Sequence, residues 1–151
     1  MLKVMIVEDD LLVADMLELT VTEGGYAVCG IARTVAQATV LGERERPDLA
    51  IIDMRLANGE LGTEIAARLR GSLPKLGVLY ATGNAAPARL TSRDGNAVLG
   101  KPYSKNAMIR ALKLVEQLVS TGSATPPFPG GFQVLEAPPA TKRCTGGPSR
   151  G

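Results

Sequence analysis

Along the first 120 residues, short β-branched runs alternate with longer stretches in which apolar positions recur every three or four residues. That alternation predicts repeated strand–helix units around a parallel sheet. The run LKVMIV at 2–7 is almost continuously apolar and suits a strand covered on both faces. A helix is expected over 11–23, with Leu12, Met16 and Leu19 at i, i+4 and i+7 as its apolar stripe and Gly24-Gly25 at its end. A second strand follows at 26–32, and Thr34 can cap a helix running to about Arg44, in which Ala38 and Leu41 share a face. LAIID at 49–53 is the third strand; Asn58-Gly59 then leads into a helix over about 61–70 carrying Leu61, Ile65 and Leu69. VLYAT at 78–82 and AVLG at 97–100 are the fourth and fifth strands. The segment between them, NAAPARLTSRDGN, supports a short or mobile fourth helix at most. A last helix over about 104–120 places Met108, Leu112, Val115 and Val119 on one stripe. Five strands alternating with helices give a three-layer α/β sandwich, for which the five-stranded precedent is the flavodoxin-like parallel sheet in the order 2-1-3-4-5.

The pattern stops near residue 120. Of the ten prolines, six (126, 127, 129, 138, 139, 148) fall in the last 31 residues, together with six of the seventeen glycines. Such a stretch has high conformational entropy and little periodic apolar surface to offset it. Residues 1–120 are therefore read as the domain and 121–151 as a mostly disordered tail. Its PPFPGGF run is taken as an inert extension in preference to a segment that docks on the domain or on a partner. Both phenylalanines lie in the tail, so the domain core is expected to be aliphatic.

Composition removes several function classes. At 151 residues and 45% hydrophobic, the chain can build one core. No run of eighteen apolar residues occurs, and the first ten residues already hold three acids, so neither a membrane span nor a secretory leader is expected and a cytoplasmic location follows. Taking Lys142, Arg143, Arg150 and Glu136 away from 17 basic and 15 acidic residues leaves 14 of each, so the domain offers no basic surface for nucleic acid. Two cysteines give neither a metal cluster nor a disulfide framework, and the absence of histidine removes imidazole catalysis.

In sheets of this kind ligands bind beyond the carboxyl ends of the strands. There the first strand ends in Glu8, Asp9 and Asp10, the third in Asp53 and the fourth in Thr82, while the fifth runs into Lys101-Pro102. Singly, each residue has an ordinary reading: Asp9 or Asp10 as a helix cap, Asp53 as a turn former, Thr82 as a satisfied hydroxyl, Lys101 as a solvated charge. Their coincidence at four strand ends favours a site. Three carboxylates at ~5 Å in an effective dielectric of ~20 repel by roughly 3 kcal/mol per pair, so a cation is required. Lys101 supplies one charge, and Mg²⁺ is the natural remainder. Asp, Mg²⁺, Lys and a Thr hydroxyl together suit phosphoryl transfer to a carboxylate.

Through VEDD (7–10), DLAIIDMRL (48–56), YATG (80–83) and KPY (101–103), the chain resembles the response regulator receiver domain of two-component signalling over about residues 2–120. The resemblance implies that Glu8 and Asp9 hold Mg²⁺, that Asp53 is both phosphoacceptor and metal ligand, and that the backbone carbonyl of Arg55 completes the metal set. It also implies that Thr82 binds a phosphoryl oxygen and moves on activation, and that Lys101 pairs with the phosphoryl group ahead of a cis Lys-Pro bond. The implied partners are a histidine kinase or histidine phosphotransfer protein as donor and a downstream protein as target. Without an effector domain, output is expected through protein–protein binding, phosphate buffering or the tail. The oligomeric state is left open.

Two features depart from the usual receiver pattern. Val98 stands three residues before the lysine, where receivers commonly carry Phe or Tyr, which leaves Tyr80 as the nearby candidate for a coupled ring. The YATG run is also only partly similar to the Phe-Ala-Thr-Gly motif of a stand-alone receiver subclass. Arg55 and Asn84, each two places after a site residue, are expected to tune phosphoryl lifetime. A pseudo-receiver that binds without phosphorylation is the competing reading. A haloacid-dehalogenase-like phosphatase would want a second Asp where Arg55 stands. A flavin carrier would want a phosphate-cradling loop where Glu8, Asp9 and Asp10 stand.

Overall fold

The computed structural model describes residues 1–83 and 90–138. Five strands, β1 (Lys3–Val7), β2 (Ala27–Ala32), β3 (Leu49–Asp53), β4 (Gly77–Thr82) and β5 (Ala97–Gly100), form a parallel sheet in the order β2-β1-β3-β4-β5. This is the expected flavodoxin-like order. Four helices are found among the described residues: α1 (Leu11–Glu23), α2 (Val35–Glu45), α3 (Gly62–Ser72) and α4 (Lys105–Thr121). Three begin on side-chain caps, where Asp10, Thr34 and Ser104 accept hydrogen bonds from amides of the first turn.

The strand pleat divides the core in two. Met5, Val7, Ala50, Ile52, Val78 and Tyr80 face α2 and α3, where Ala38, Leu41, Ile65 and Leu69 are buried. Val4, Ile6, Leu49, Ile51, Leu79 and Leu99 face α1 and α4, where Leu17, Val21, Met108, Leu112 and Val115 are buried.

Two expectations change, and a third falls largely outside the described residues. The apolar stripe read on α1 faces solvent, with Leu12 72%, Met16 64% and Leu19 56% exposed, while Ala14, Leu17, Thr20 and Val21 meet the sheet. The expected fourth helix falls largely on residues 84–89, outside the described residues; from 90 to 96 the chain makes a turn. Finally, part of the supposed tail belongs to the fold. Phe132–Val134 forms a sixth strand, β6, antiparallel to β5, and Phe132 and Leu135 are buried in the two cores. Proline and glycine density concealed two apolar anchors, enough to seat a strand on an open sheet edge. PPFPGGF therefore leads into a docked strand, and residues 139–151 lie outside the described residues. No described helix is long and apolar enough to cross a membrane.

Candidate phosphoacceptor and metal site

The carboxyl ends of β1, β3, β4 and β5 converge on one rim. Oxygens of Glu8, Asp9 and Asp53 all lie within 4.8 Å of one another. The Lys101 ammonium stands 3.5 Å from Glu8 Oε1 and 3.7 Å from Asp53 Oδ2. Thr82 ends β4 and is nearly buried, and its carbonyl accepts from the Lys101 amide at 2.7 Å, tying two site residues through the main chain. The Lys101–Pro102 peptide is cis.

Local structure fixes each group. Glu8 is 3% exposed; its amide donates to the Ala32 carbonyl at 3.0 Å, and its Oε2 accepts from the Asp10 amide at 3.1 Å. Burial, opposed by the Asp10 amide and reinforced by the Asp53 charge, raises the Glu8 carboxyl from 4.5 to about 7, with Lys101 pulling the other way. Asp10 turns out to be the helix cap, accepting from Leu12 and Val13, which leaves Asp9 for the cluster. Arg33 donates through Nε and Nη2 to the Asp9 carbonyl at 3.2 and 3.1 Å.

Beyond Asp53 the chain makes an isolated antiparallel bridge, Arg55 to Leu61, closed by Leu56 N–H on the Glu60 carbonyl and Gly62 N–H on the Met54 carbonyl. The Arg55 main chain consequently faces away from Leu61 and toward the Asp53 carboxylate, whose Oδ1 lies 3.4 Å from the Arg55 amide. Its side chain is exposed. Asn84 lies outside the described residues. Tyr103 is half-buried near the cluster; burial, then the charges of Glu8 and Asp53, push its hydroxyl up to about 12.

Sequence reasoning missed Gly62, which carries no side chain yet sets the Asp53 loop, and Arg33, whose contact spans 24 residues of chain. It named Tyr80 as the candidate for a coupled ring. Tyr80 is fully buried, and its hydroxyl donates to the Asp94 carbonyl at 2.6 Å.

Three carboxylates in mutual reach, one of them buried and costly to ionise, suit a small hard cation with oxygen ligands, and Mg²⁺ fits this donor set. The fold and the rim define a flavodoxin-like domain with an acidic cluster at the carboxyl ends of its strands. Residues 4–113 match the response regulator receiver domain family, and the chain belongs to it. Over 63 residues it is 38% identical to the phyllosphere-induced regulator PhyR of Methylorubrum extorquens, covering 41% of this chain and 24% of that one, so the match spans about a quarter of that relative's length. The receiver domain of a modulated diguanylate cyclase from Desulfovibrio desulfuricans G20, described as an example of alternate folding, superposes with a TM-score of 0.68 at 26% identity, covering 82% of this chain and 99% of that one. The anti-anti-sigma factor PhyR of Bartonella quintana gives a TM-score of 0.63 at 25% identity, covering 80% and 51%.

Proposed function

We propose that the protein is a phosphoacceptor switch that takes a phosphoryl group onto Asp53 from a phosphohistidine of a kinase or phosphotransfer protein. An Asp53 carboxylate oxygen forms the O–P bond as the P–N bond of the donor breaks, and the departing imidazole takes up a proton. Lys101, whose ammonium lies 3.5 Å from Glu8 and 3.7 Å from Asp53, would neutralise charge on the phosphoryl oxygens. The Thr82 hydroxyl is taken to hydrogen-bond one of those oxygens.

Glu8, Asp9, Asp53 and the Arg55 carbonyl would hold Mg²⁺. Bound there, the ion would supply charge neutralisation that the single lysine cannot. The observation that carries this reading is the placement of one ammonium 3.5 and 3.7 Å from two of three clustered carboxylates. Output is taken to be binding to another protein, a reading favoured by similarity to a relative named as an anti-anti-sigma factor.

The test is labelling of the full chain by a phosphorylated kinase or by acetyl phosphate, with and without Mg²⁺, in the native protein and in Asp53→Asn. Mg²⁺-dependent labelling of the native chain alone is expected. Failure of the native chain to label would leave the pseudo-receiver reading in its place.

A further inference from the structure

The outer edge of β5 is occupied by the chain's own C-terminal segment. β6 pairs Ala97 with Val134, Val98 with Gln133 and Leu99 with Phe132. Flanking hydrogen bonds extend the seat: Gly100 N–H to the Gly131 carbonyl at 3.0 Å, Leu135 N–H to the Asn96 carbonyl at 3.0 Å, and Ser92 N–H to the Glu136 carbonyl at 2.9 Å. Gly131 takes φ 81°, a conformation that turns the chain onto the edge and that L side chains rarely adopt.

Phe132 enters the core on the α1/α4 side and Leu135 the core on the α2/α3 side, so the segment straddles the sheet with two anchors. Ala124 and Val134 add partly buried contacts on the α1/α4-side core, and the remaining contacts lie at the surface. The approach runs over the surface of α4, where Arg110 donates to the Thr125 and Pro127 carbonyls and Gln117 pairs with Thr125. Pro126, Pro127 and Pro129 have no amide to lengthen the ladder. A three-residue edge strand bonded on one side can leave without opening any other pairing.

We propose that this edge is a strand-addition site for an extended apolar segment of a partner protein, and that residues 131–136 are its built-in occupant. The occupant displays the chemistry required: an antiparallel strand carrying an aromatic residue, a β-branched residue two places on and a leucine next. Main-chain bonds supply affinity and the two anchor pockets supply selectivity. A tethered occupant competes at an effective concentration in the millimolar range, so the bare edge appears only when the partner outbids it or the occupant loosens.

The site is wired to the rim. Gly131 holds the Gly100 amide, the neighbouring Lys101 amide is bonded to Thr82, and the Lys101 ammonium faces Asp53. Resting on the phosphoacceptor reading, occupancy of the edge and phosphorylation of Asp53 are coupled, each altering the other to the same degree.

The test uses the full chain and a fluorescent peptide with the sequence of residues 129–138. The double variant Phe132→Ser/Leu135→Ser is expected to stay folded and to bind the peptide at least about tenfold more tightly than the native chain, while a peptide carrying the same two serines does not bind. Equal binding by variant and native chain overturns the proposal, as does loss of cooperative unfolding in the variant, which would make the segment an obligatory part of the core. On the native chain, hydrogen exchange of the Leu135 amide, bonded to the Asn96 carbonyl, should run at least about tenfold faster than that of the ladder amides of 49–53; equal protection overturns the proposal. Acetyl phosphate with Mg²⁺, monitored by intact mass, separates the two readings. Labelling accompanied by a shift of about threefold or more in peptide affinity supports the coupling, and labelling without a shift overturns it. Absence of labelling sinks the phosphoacceptor reading, while the peptide result still decides whether the edge takes a strand.

Discussion

Gly62 lies so close to Asp53 that a Cβ at position 62 would stand 2.3 Å from the Asp53 carbonyl oxygen and 2.6 Å from Ile52 Cγ2. The Gly62 amide also closes the bridge that aims the Arg55 main chain at the Asp53 carboxylate. Gly62→Ala must push α3 away from the end of β3, at a cost of roughly 1–3 kcal/mol by the usual scale of overpacking. Urea unfolding should show that loss. On the phosphoacceptor proposal, uptake should fall further than stability alone explains, because the displaced loop carries the neighbours of Asp53.

Substitution of Lys101 should separate two effects of its charge. Its ammonium offsets the charges of Glu8 and Asp53, so it also repels any cation bound beside them. Lys101→Ala should therefore tighten Mg²⁺ binding several-fold by removing a like charge at short range. Labelling from acetyl phosphate should slow by on the order of 100-fold, the typical loss when one preorganised charge partner of a transition state is removed. Calorimetry and labelling kinetics on the same preparation check both outcomes. A parallel loss of both would mean that Lys101 only props the site open.

Glu8 makes the site pH-dependent in a fixed direction. Burial holds its carboxyl at about 7, above the ordinary 4.5, so between those values the native chain keeps a proton that the unfolded chain releases. This group's contribution to metal-free stability is full below about pH 4.5 and is lost as the pH rises through about 7. Mg²⁺ requires the ionised form, so its apparent affinity should rise about tenfold per pH unit up to about 7 and level off above. Titration calorimetry across that range should show proton release below the plateau. Glu8→Gln should flatten the profile.

The rim was legible because its residues follow continuous apolar runs. Glu8, Asp53, Thr82 and Lys101 stand at the ends of strands whose β-branched content leaves little choice of structure, and a parallel sheet gathers those ends. Gly62 and Arg33 were not legible, since the first acts by lacking a side chain and the second through a backbone carbonyl 24 residues away. β6 was hidden because composition averages over a whole segment, whereas seating a strand needed only Phe132 and Leu135. On α1 the error came from size. Apolar residues occur on both sides of this helix, and the sheet takes the smaller set around Ala14, Leu17 and Val21 while the bulkier Leu12, Met16 and Leu19 stay in water.

That inversion of α1 can be measured. Leu12→Ser, Met16→Ser and Leu19→Ser should each change unfolding free energy by no more than about 0.5 kcal/mol, as surface substitutions do. Leu17→Ala, one residue from Met16, should cost about 2–5 kcal/mol by leaving a cavity under the helix. A stripe variant as costly as Leu17→Ala would mean that the helix is turned the other way.

Tyr80, the ring named from sequence as the candidate for coupling, is held at its hydroxyl by the turn after residue 90. Its hydroxyl is anchored on the Asp94 carbonyl, and burial keeps it protonated by raising its pKa. The turn it holds is braced by Arg70, which donates to the Ser92 and Arg93 carbonyls and to Asn96 Oδ1, the same oxygen that accepts from the Val78 amide. Tyr80→Phe removes the partner of the half-buried Asp94 carbonyl and should cost about 0.5–1.5 kcal/mol, the net worth of one hydrogen bond. Because the hydroxyl is bonded to this turn and not to a residue of the Asp53 cluster, phosphoryl uptake should change by less than about twofold. A large loss of uptake with stability unchanged would show instead that the ring swings during signalling and that its bond to Asp94 is one of two positions.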